Sequence, residues 1–307
     1  KERYIRLTGN ASRVTFGTFH SIFFQILKLA YRYTAQNIVR PEQQMQLIRE
    51  LAGKEELELE GENEFISSIL SEISSVKGEM IDLRHYYSRN CPDETFRRIC
   101  SGYEEQMRRL GLIDFDDMMV MCRQLFLERQ DILAAWQRRY RYILIDEFQD
   151  TSRMQWDNFR LLLLEGLSQG ADSLIVGDVK QSIYRWRNGD WGILNGLKTN
   201  IEAFPVKVKT LTTNRRSAAN IIHFNNEVFT AACEVLNNIY KEEQKKECKE
   251  LKEAYNDVCQ ETYKDPGKGY VKVEFLSDTE DMTYMENTLY HLGEEVELLV
   301  AQGVQLK

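Results

Sequence analysis

Two adjacent carboxylates, Asp146 and Glu147, directly follow the short apolar run Tyr142–Ile145. Such a run predicts a buried β-strand, and side chains just beyond the carboxyl end of a parallel strand face the ligands that bind there. In nucleotide hydrolases the first acid of such a pair holds Mg²⁺, usually through water, and the second orients the attacking water. Asp-Glu pairs are also common at protein surfaces, so the longer run Asp146–Thr151, Asp-Glu-Phe-Gln-Asp-Thr, is the more specific feature.

A second apolar run, Ser173–Val176, is followed by a glutamine, aromatic rings and several cations. The amide of Gln181 could sense a phosphate at the end of this strand. The rings of Tyr184 and Trp186, with Arg187 beside them, could stack on bases while the cations hold a nucleic-acid backbone. The alternative is that both rings pack against the edge of the sheet, which is the commoner fate of aromatic side chains.

The elements that must position these side chains form an α/β pattern. A helix at 155–164 separates the two runs, so a parallel strand–helix–strand unit is expected. The periodicity is helical from 41 to 137, and Asp114 is the predicted N-cap of a helix that continues through Leu127. Further strands are predicted at 13–16, 207–211 and 270–276, and further helices at 22–33, 214–229, 241–263 and 285–301.

The charge of the chain is unevenly distributed. Its 307 residues carry 40 Lys or Arg and 48 Asp or Glu, a net charge of −8. Residues 1–40 nevertheless contain seven basic residues and one acid, and 205–222 contain four basic residues and no acid, whereas six glutamates lie within 54–64. This separation could present a basic nucleic-acid surface despite the acidic total, although solvated helix faces are an alternative. Six cysteines without a C-x-x-C pair, and no apolar run of ~20 residues, favour a cytoplasmic protein that does not enter a membrane.

Taken together, these segments resemble the superfamily-one DNA helicases of the UvrD, PcrA and Rep type. Gly17–Ser21 is similar to the family's Gly-Thr-Phe-His-Ser motif, which lines the path of the single strand. Asp114–Asp117 resembles the Asp-Phe-Asp-Asp segment before the Walker B strand, and Leu211–Ser217 resembles the family's Leu-x-x-Asn-Tyr-Arg-Ser motif. The sequence of Val176–Arg187 is most similar to that of RecB and AddA, the motors of recombinational helicase–nucleases.

The resemblance implies catalytic roles for four residues. Asp146 would ligate Mg²⁺, and Glu147 would be the catalytic base. Gln181 would contact the γ-phosphate of ATP and couple it to DNA, and Arg216 would act as an arginine finger on the same phosphate. Arg215 stands where the family usually has an aromatic residue.

The resemblance also implies a DNA-binding set, in which Trp186 would stack on a base and Arg187 would lie near a phosphate. The residues of this set are Thr18, His20, Ser21, Tyr184, Trp186 and Arg187.

The implied fold is α/β, an incomplete RecA-like parallel-sheet motor domain with a large all-helical insert and the start of a second RecA-like domain. Residues 1–35 and 138–205 would form the first domain, 36–137 the insert, and 206–307 the start of the second domain. No G-x-x-x-x-G-K-[ST] loop occurs in the sequence, so we expect a fragment of a longer protein that has no ATPase activity alone.

The resemblance implies that the longer protein is an ATP-dependent and Mg²⁺-dependent helicase of repair and recombination. It would move 3′ to 5′ on single-stranded DNA or from duplex ends, and a helicase–nuclease subunit is a partner that the RecB/AddA branch would imply. The alternative is a catalytically silent, helicase-like DNA-binding or scaffold subunit. A phosphate-binding lysine just upstream would favour the motor, and its absence the scaffold.

Overall fold

The computed structural model describes residues 2–9, 14–55, 61–183, 189–264, 266–277 and 283–305. The chain divides into two compact units, Lys1–Val208 and Lys209–Lys307. The helices and strands of the first unit are α1 Glu2–Thr8, α2 Phe19–Tyr31, α3 Pro41–Lys54, α4 Glu62–Glu79, α5 Asp93–Leu110, α6 Phe115–Glu128, α7 Gln130–Arg139, β1 Ile143–Ile145, α8 Arg153–Ser168, β2 Ser173–Ile175, α9 Trp191–Asn195 and α10 Leu197–Asn200.

Strands β1 and β2 form a parallel pair joined by α8, which confirms the predicted strand–helix–strand unit. Ile143 lies opposite Ser173, and Ile145 lies opposite Ile175. Ile143 and Ile145 are buried, whereas the side chain of Leu144 between them is 72% exposed. The prediction of a buried strand therefore holds for one face only, because the helices of the described part pack against that face alone.

The first hydrophobic core lies between β1 and the helices α2, α6, α7 and α8. Phe23, Phe126 and Trp156 are among its fully buried side chains. Inside this core the Asn158 side chain of α8 donates a hydrogen bond to the backbone oxygen of Met119 in α6, at 2.8 Å. Helices α6 and α7 thus pack beside the sheet and support the end of β1.

A second hydrophobic core lies among α3, α4 and α5. Ile48, Ile69 and Phe96 are buried in it and come from one helix each. The apolar positions recur at helical spacing, so each helix presents one apolar stripe to the other two. The helical region predicted at 36–137 therefore contributes to both cores, α3 to α5 to the second and α6 and α7 to the first.

The predicted cap of α6 is confirmed. Asp114 Oδ1 accepts the backbone N–H of Asp117 at 2.7 Å, and Asp117 Oδ2 accepts the backbone N–H of Asp114 at 3.0 Å. These reciprocal bonds satisfy two N–H groups that have no partner inside the helix. Helix α2 starts at Phe19, earlier than predicted, because Thr18 caps it.

The second unit contains β3 Thr213–Asn214, α11 Ala219–Gln244, α12 Lys249–Ala254, β4 Glu261–Thr262 and α13 Tyr284–Ala301. Strands β3 and β4 pair in parallel over two residues each. The final helix was predicted at 285–301 and is confirmed within one residue. Among the described residues of both units, no helix combines the length and the apolarity that a membrane span requires.

Three predicted strands are wrong over the residues that the structure describes: 14–16, 207–211 and 270–276 have no ladder partner there and are not strands. Their apolar alternation satisfies the local pattern, but a strand also needs a neighbour with which to exchange backbone hydrogen bonds.

Two predicted helices have different limits. The helix expected at 214–229 starts only at Ala219, because Asn214 Oδ1 accepts the N–H groups of Arg216 and Ser217 at 2.9 Å each and forms a turn. The single charged helix expected at 241–263 is wrong. Helix α11 ends at Gln244, and Lys245 is left-handed, with φ of 56°. The chain then turns back, and Asn237 Oδ1 accepts the N–H of Cys248 at 3.2 Å.

Candidate functional site

The two carboxylates at the end of β1 are exposed and closely linked. Asp146 Oδ1 accepts the backbone N–H of Glu147 at 3.0 Å. Glu147 has left-handed backbone angles, with φ of 55° and ψ of 35°, and leads into the 3₁₀ turn Phe148–Asp150. A non-glycine residue in this region is uncommon and often marks a functional site. The sharp turn leaves both carboxylates beyond the sheet, at the edge where parallel sheets bind ligands.

Asp178 organises the segment that follows β2. Its Oδ1 accepts the backbone N–H of Lys180 at 3.0 Å and lies 2.9 Å from the Lys180 ammonium. Its Oδ2 accepts the side-chain amide of Gln181 at 3.1 Å. Burial raises the pKa of Asp178, but the hydrogen bonds from Lys180 and Gln181 outweigh it and hold the pKa below its usual range. Asp178 is therefore ionised at neutral pH, and it orients the exposed Gln181.

Gln149 joins these two segments. Its side chain is buried, and its Nε2 donates to Glu147 Oε2 at 3.0 Å. The backbone N–H of Asp178 donates to Gln149 Oε1 at 3.2 Å, and the Ser182 hydroxyl donates to the Gln149 backbone oxygen at 3.0 Å. Asp146, Glu147 and Gln181, which were predicted as site residues, therefore lie on two loops that Gln149 connects. The sequence interpretation assigned Gln149 no role, although it lies inside the quoted run Asp146–Thr151.

Thr18, His20 and Ser21 lie at the first turn of α2. Thr18 Oγ1 accepts the N–H of Ser21 at 3.3 Å, and the Ser21 hydroxyl donates to the Thr18 oxygen at 2.8 Å. A Cβ at Gly17 would overlap the Ser21 hydroxyl, so a larger residue there would force that hydroxyl away from the Thr18 oxygen. The His20 ring packs edge-on against Phe115 with centroids 5.0 Å apart, and burial lowers its pKa, so the imidazole is neutral at pH 7.

A cleft of about 940 Å³ brings His20 together with the end of the Asp146–Thr151 segment. Asp150 and Ser152 line it beside His20, and Asp116 and Ser71 line it from α6 and α4. Asp150 Oδ1 is buried and has no hydrogen-bond partner in the described part of the chain. Burial raises the pKa of Asp150, and the negative charge of Glu147 adds to the effect. The cleft thus lies between the helical segment and the start of α8, and polar and apolar side chains both line it.

Arg216 lies in the second unit, on the exposed turn between β3 and α11. Its N–H donates to Asn214 as described above, and its backbone oxygen accepts the Lys264 ammonium at 2.6 Å. The neighbouring Arg215 guanidinium lies over the Tyr263 ring, 4.1 Å from the centroid. This cation–π contact accommodates the arginine that stands in place of an aromatic residue.

Tyr184, Trp186 and Arg187 lie outside the described residues, so their roles stay predictions from the sequence. The residues on either side of them, Ser182 and Asp190, are described by the structure. Ser182 bonds to Gln149, and on the far side Asp190 donates its N–H to the Thr151 oxygen at 3.1 Å and lies 3.2 Å from the Arg153 guanidinium. Both ends of this segment are therefore anchored to the loop that follows β1.

Comparison with known proteins adds to this geometry. The sequence model for the UvrD/REP helicase N-terminal domain matches residues 1–202. A probable DNA helicase II homologue from Mycoplasma capricolum is 28% identical over 319 residues, which cover 100% of this chain and 39% of the relative. The ATP-dependent DNA helicase PcrA of Leuconostoc citreum is 31% identical over 221 residues, covering 69% of this chain and 28% of the relative. DNA helicase II of Escherichia coli is 30% identical over 213 residues, covering 67% and 28%. The chain thus spans well under half the length of these relatives.

Proposed function

Because the chain belongs to the UvrD/REP helicase family, through the N-terminal domain of those enzymes, we propose that it is a fragment of an ATP-dependent DNA helicase that contributes residues for ATP hydrolysis and for tracking single-stranded DNA but is inactive as an ATPase alone. One observation carries the proposal. Glu147 at the end of β1 and Gln181 beyond β2 are joined by hydrogen bonds through Asp178 and Gln149. Catalysis of phosphoryl transfer is mostly positioning, so a base and a phosphate-contacting amide joined by one set of hydrogen bonds suit ATP hydrolysis.

Asp146 and Glu147 fit the chemistry assigned to them. The Asp146 carboxylate is exposed, and one of its oxygens accepts a backbone N–H, which leaves the other oxygen directed to solvent and available to a cation or its water. Carboxylate oxygen is a preferred ligand of Mg²⁺, which in such sites keeps several waters. When bound, Mg²⁺ neutralises charge on the phosphates of ATP. Glu147 orients the attacking water and accepts its proton, and the amide of Gln149 holds the carboxylate in place.

Gln181 and Arg216 complete the proposed catalytic set. Gln181 is exposed and is oriented by Asp178, so its amide can respond to the γ-phosphate. Arg216 is an exposed residue on a turn whose backbone is held by hydrogen bonds with Asn214 and Lys264. An arginine finger stabilises negative charge that develops in the transition state. The resemblance implies that ATP would be bound by Asp146, Gln181 and Arg216 together with a phosphate-binding loop of the longer protein.

The proposed DNA track includes the first turn of α2 and the segment after Gln181. Thr18 and Ser21 are exposed polar groups at a helix N-terminus, which suits contact with phosphate, and His20 lines the cleft beside Asp150. Tyr184, Trp186 and Arg187 would supply stacking and phosphate contacts, as the resemblance implies.

The proposed domain organisation and the role of the longer protein follow from the family resemblance. Residues 1–35 and 138–205 would belong to one RecA-like domain, 36–137 to its helical insert and 206–307 to the start of the second. The resemblance to the UvrD, PcrA and Rep type supports 3′-to-5′ movement on single-stranded DNA or from duplex ends. The RecB/AddA-like sequence of Val176–Arg187 supports a role in recombination and a helicase–nuclease partner subunit.

The test is an assay of the full-length protein that carries this sequence. We expect ATP hydrolysis that requires single-stranded DNA and Mg²⁺, and displacement of a labelled block from the 5′ end of a single strand but not from its 3′ end. Tight DNA binding without any hydrolysis would instead identify the silent scaffold subunit. A protein that neither bound DNA nor hydrolysed ATP would refute both functions.

A further inference from the structure

Gln149 makes three hydrogen bonds at one point between the two loops of the candidate site. Its Nε2 donates to Glu147 Oε2 at 3.0 Å, its Oε1 accepts the backbone N–H of Asp178 at 3.2 Å, and its backbone oxygen accepts the Ser182 hydroxyl at 3.0 Å. The residue is 3% exposed, so water does not compete for these bonds. Both polar atoms of the Gln149 side chain, Nε2 and Oε1, therefore form hydrogen bonds to residues of the candidate site.

The orientation of the Gln149 amide follows from its partners. A backbone N–H can only donate, so the atom that faces Asp178 must be the amide oxygen, and the NH₂ group must face the Glu147 carboxylate. The space around this amide is tight: a Cβ at Gly177 would lie 2.9 Å from Gln149 Oε1 and 3.1 Å from its backbone nitrogen. Glycine at this position lets the loop after β2 approach the amide closely.

Glu147 needs such a partner. Its side chain is exposed, with rotatable bonds that leave the carboxylate many positions when nothing holds it. The hydrogen bond from Gln149 is charge-assisted and fixes Oε2, and because the Gln149 side chain is buried, the donor itself does not move. The reactive carboxylate is thus held by a rigid group, which is the arrangement that proton transfer in a fixed geometry requires.

The hydrogen bonds continue beyond Gln149. Gln181 donates to the Asp178 carboxylate at 3.1 Å, Asp178 donates its N–H to Gln149, and Gln149 donates to Glu147. We infer that Gln149 is a positioning residue that holds the Glu147 carboxylate for catalysis and links it to the loop carrying Gln181. The inference rests on the proposed function, since it assigns Glu147 as the base, and it adds a residue that acts through that base.

The kinetic test uses the full-length protein with single-stranded DNA. Gln149→Glu keeps an acceptor for Asp178 but replaces the donor to Glu147 with a second carboxylate, and Gln149→Met keeps the length of the side chain but loses both polar groups without adding a charge. We expect each variant to lower kcat at least ~10-fold, while KM for ATP changes less than about twofold, because the Glu147 carboxylate is no longer held in place; Gln149→Met shows this effect without an added charge. Gln124→Met is the matched control: Gln124 makes the same kind of bond to Glu128, at 2.8 Å, on an exposed face of α6.

A double-mutant comparison separates positioning from a structural role. In a Glu147→Gln background, Gln149→Met should cause no further loss of kcat, because the group through which Gln149 acts is already gone. An additive loss, or a kcat within about twofold of wild type for both single variants, would overturn the inference.

A second readout does not depend on activity. Hydrogen exchange across 176–183 should be faster in Gln149→Met, which frees the N–H of Asp178, and unchanged in Gln149→Glu and in the Gln124→Met control. Equal exchange in Gln149→Met and wild type would also overturn the inference. If the wild-type protein hydrolysed no ATP, the proposed function would fail, and the exchange measurement would still decide whether Gln149 bridges the two loops.

Discussion

The ammonium of Lys77 lies 2.9 Å from the carboxylate of Asp114, and both side chains are more than nine-tenths buried. Lys77 belongs to α4, in the helical core, whereas Asp114 caps α6, which packs beside the sheet. The same ammonium lies 2.7 Å from Asp117, and the Tyr103 hydroxyl donates to Asp114 at 3.2 Å. Burial favours loss of the Lys77 proton, but the two carboxylates outweigh it and hold the pKa of Lys77 above its usual range. This buried ion cluster ties the helical segment to the α/β part of the first unit.

Replacing Lys77 tests that connection. Lys77→Met keeps the unbranched side chain but leaves Asp114 and Asp117 buried without their cation, so the free energy of unfolding should fall by about 3–5 kcal/mol. Urea denaturation measures it. The control is Arg49→Met, whose pair with Glu62 at 3.2 Å is largely exposed and should contribute less than about 1 kcal/mol. Equal and small losses in the two variants would show that the buried pair does not stabilise the fold.

Asp116 predicts a dependence of stability on pH. Burial raises its pKa to about 6; Asp114 and Asp117 raise it too, while Ser74 and Lys77 act in the opposite direction. The folded state therefore binds a proton more readily than the unfolded chain, in which an aspartate titrates near about 3.9. This contribution to stability is present below pH 4 and is lost as the pH rises to 6.

The variant Asp116→Asn isolates this effect. Thermal unfolding between pH 4 and 7 should show that wild type loses stability relative to Asp116→Asn as the pH rises through this window, and that the difference is constant above it. A difference between the two proteins that does not change with pH would mean that Asp116 titrates at its ordinary value in the folded state.

Trp186 is predicted to contact DNA and not to belong to the core. In the full-length protein, Trp186→Ala should cost ~1–3 kcal/mol of single-strand affinity with little change in melting temperature, because a base loses its stacking partner. The control Trp156→Ala removes a ring that is fully buried against Phe148, and it should destabilise the fold by ~3–5 kcal/mol. A large drop in melting temperature with unchanged DNA affinity in Trp186→Ala would assign that ring to the core instead.

The 307 residues expressed alone should hydrolyse no ATP. Their sequence contains no glycine-rich loop whose backbone N–H groups would hold the phosphates, and Asp146 with Glu147 does not position a nucleotide without one. The comparison is steady-state turnover of this chain against the same chain carrying Glu147→Gln. Turnover above that control, in a preparation free of other ATPases, would show that the catalytic assignment is incomplete.

Local patterns in the sequence predicted the elements that carry the site. Strands β1 and β2 and the Asp114 cap of α6 each depend on a few neighbouring residues. The local sequence is therefore enough to predict them. The paired acids after β1 also have a local pattern, and the structure places them at the edge of the sheet. The motifs that indicated the family are short segments in a fixed order along the chain, so they were recognisable from the sequence alone.

Contacts between distant residues were not predictable in this way. Lys77 and Asp114 are 37 positions apart, and no spacing rule pairs a helix lysine with the cap of a later helix. Gln149 sits within a quoted motif, but its role depends on Asp178, which is 29 positions away and reaches it only when β2 lies beside β1. The expected strand at 207–211 failed for the same reason, because an alternating pattern does not show whether a partner strand is present.

The most direct test of the central claim is DNA-stimulated ATP hydrolysis by the full-length protein and its Glu147→Gln variant. The carboxamide keeps the size of the side chain but does not accept a proton, so kcat should fall by at least ~10²-fold. Binding of ATP, measured by titration in the same buffer, should stay nearly unchanged, because Glu147 acts on the water and not on the nucleotide. A Glu147→Gln protein that hydrolysed ATP at the wild-type rate would contradict the assignment of the base, and with it the account of how this site works.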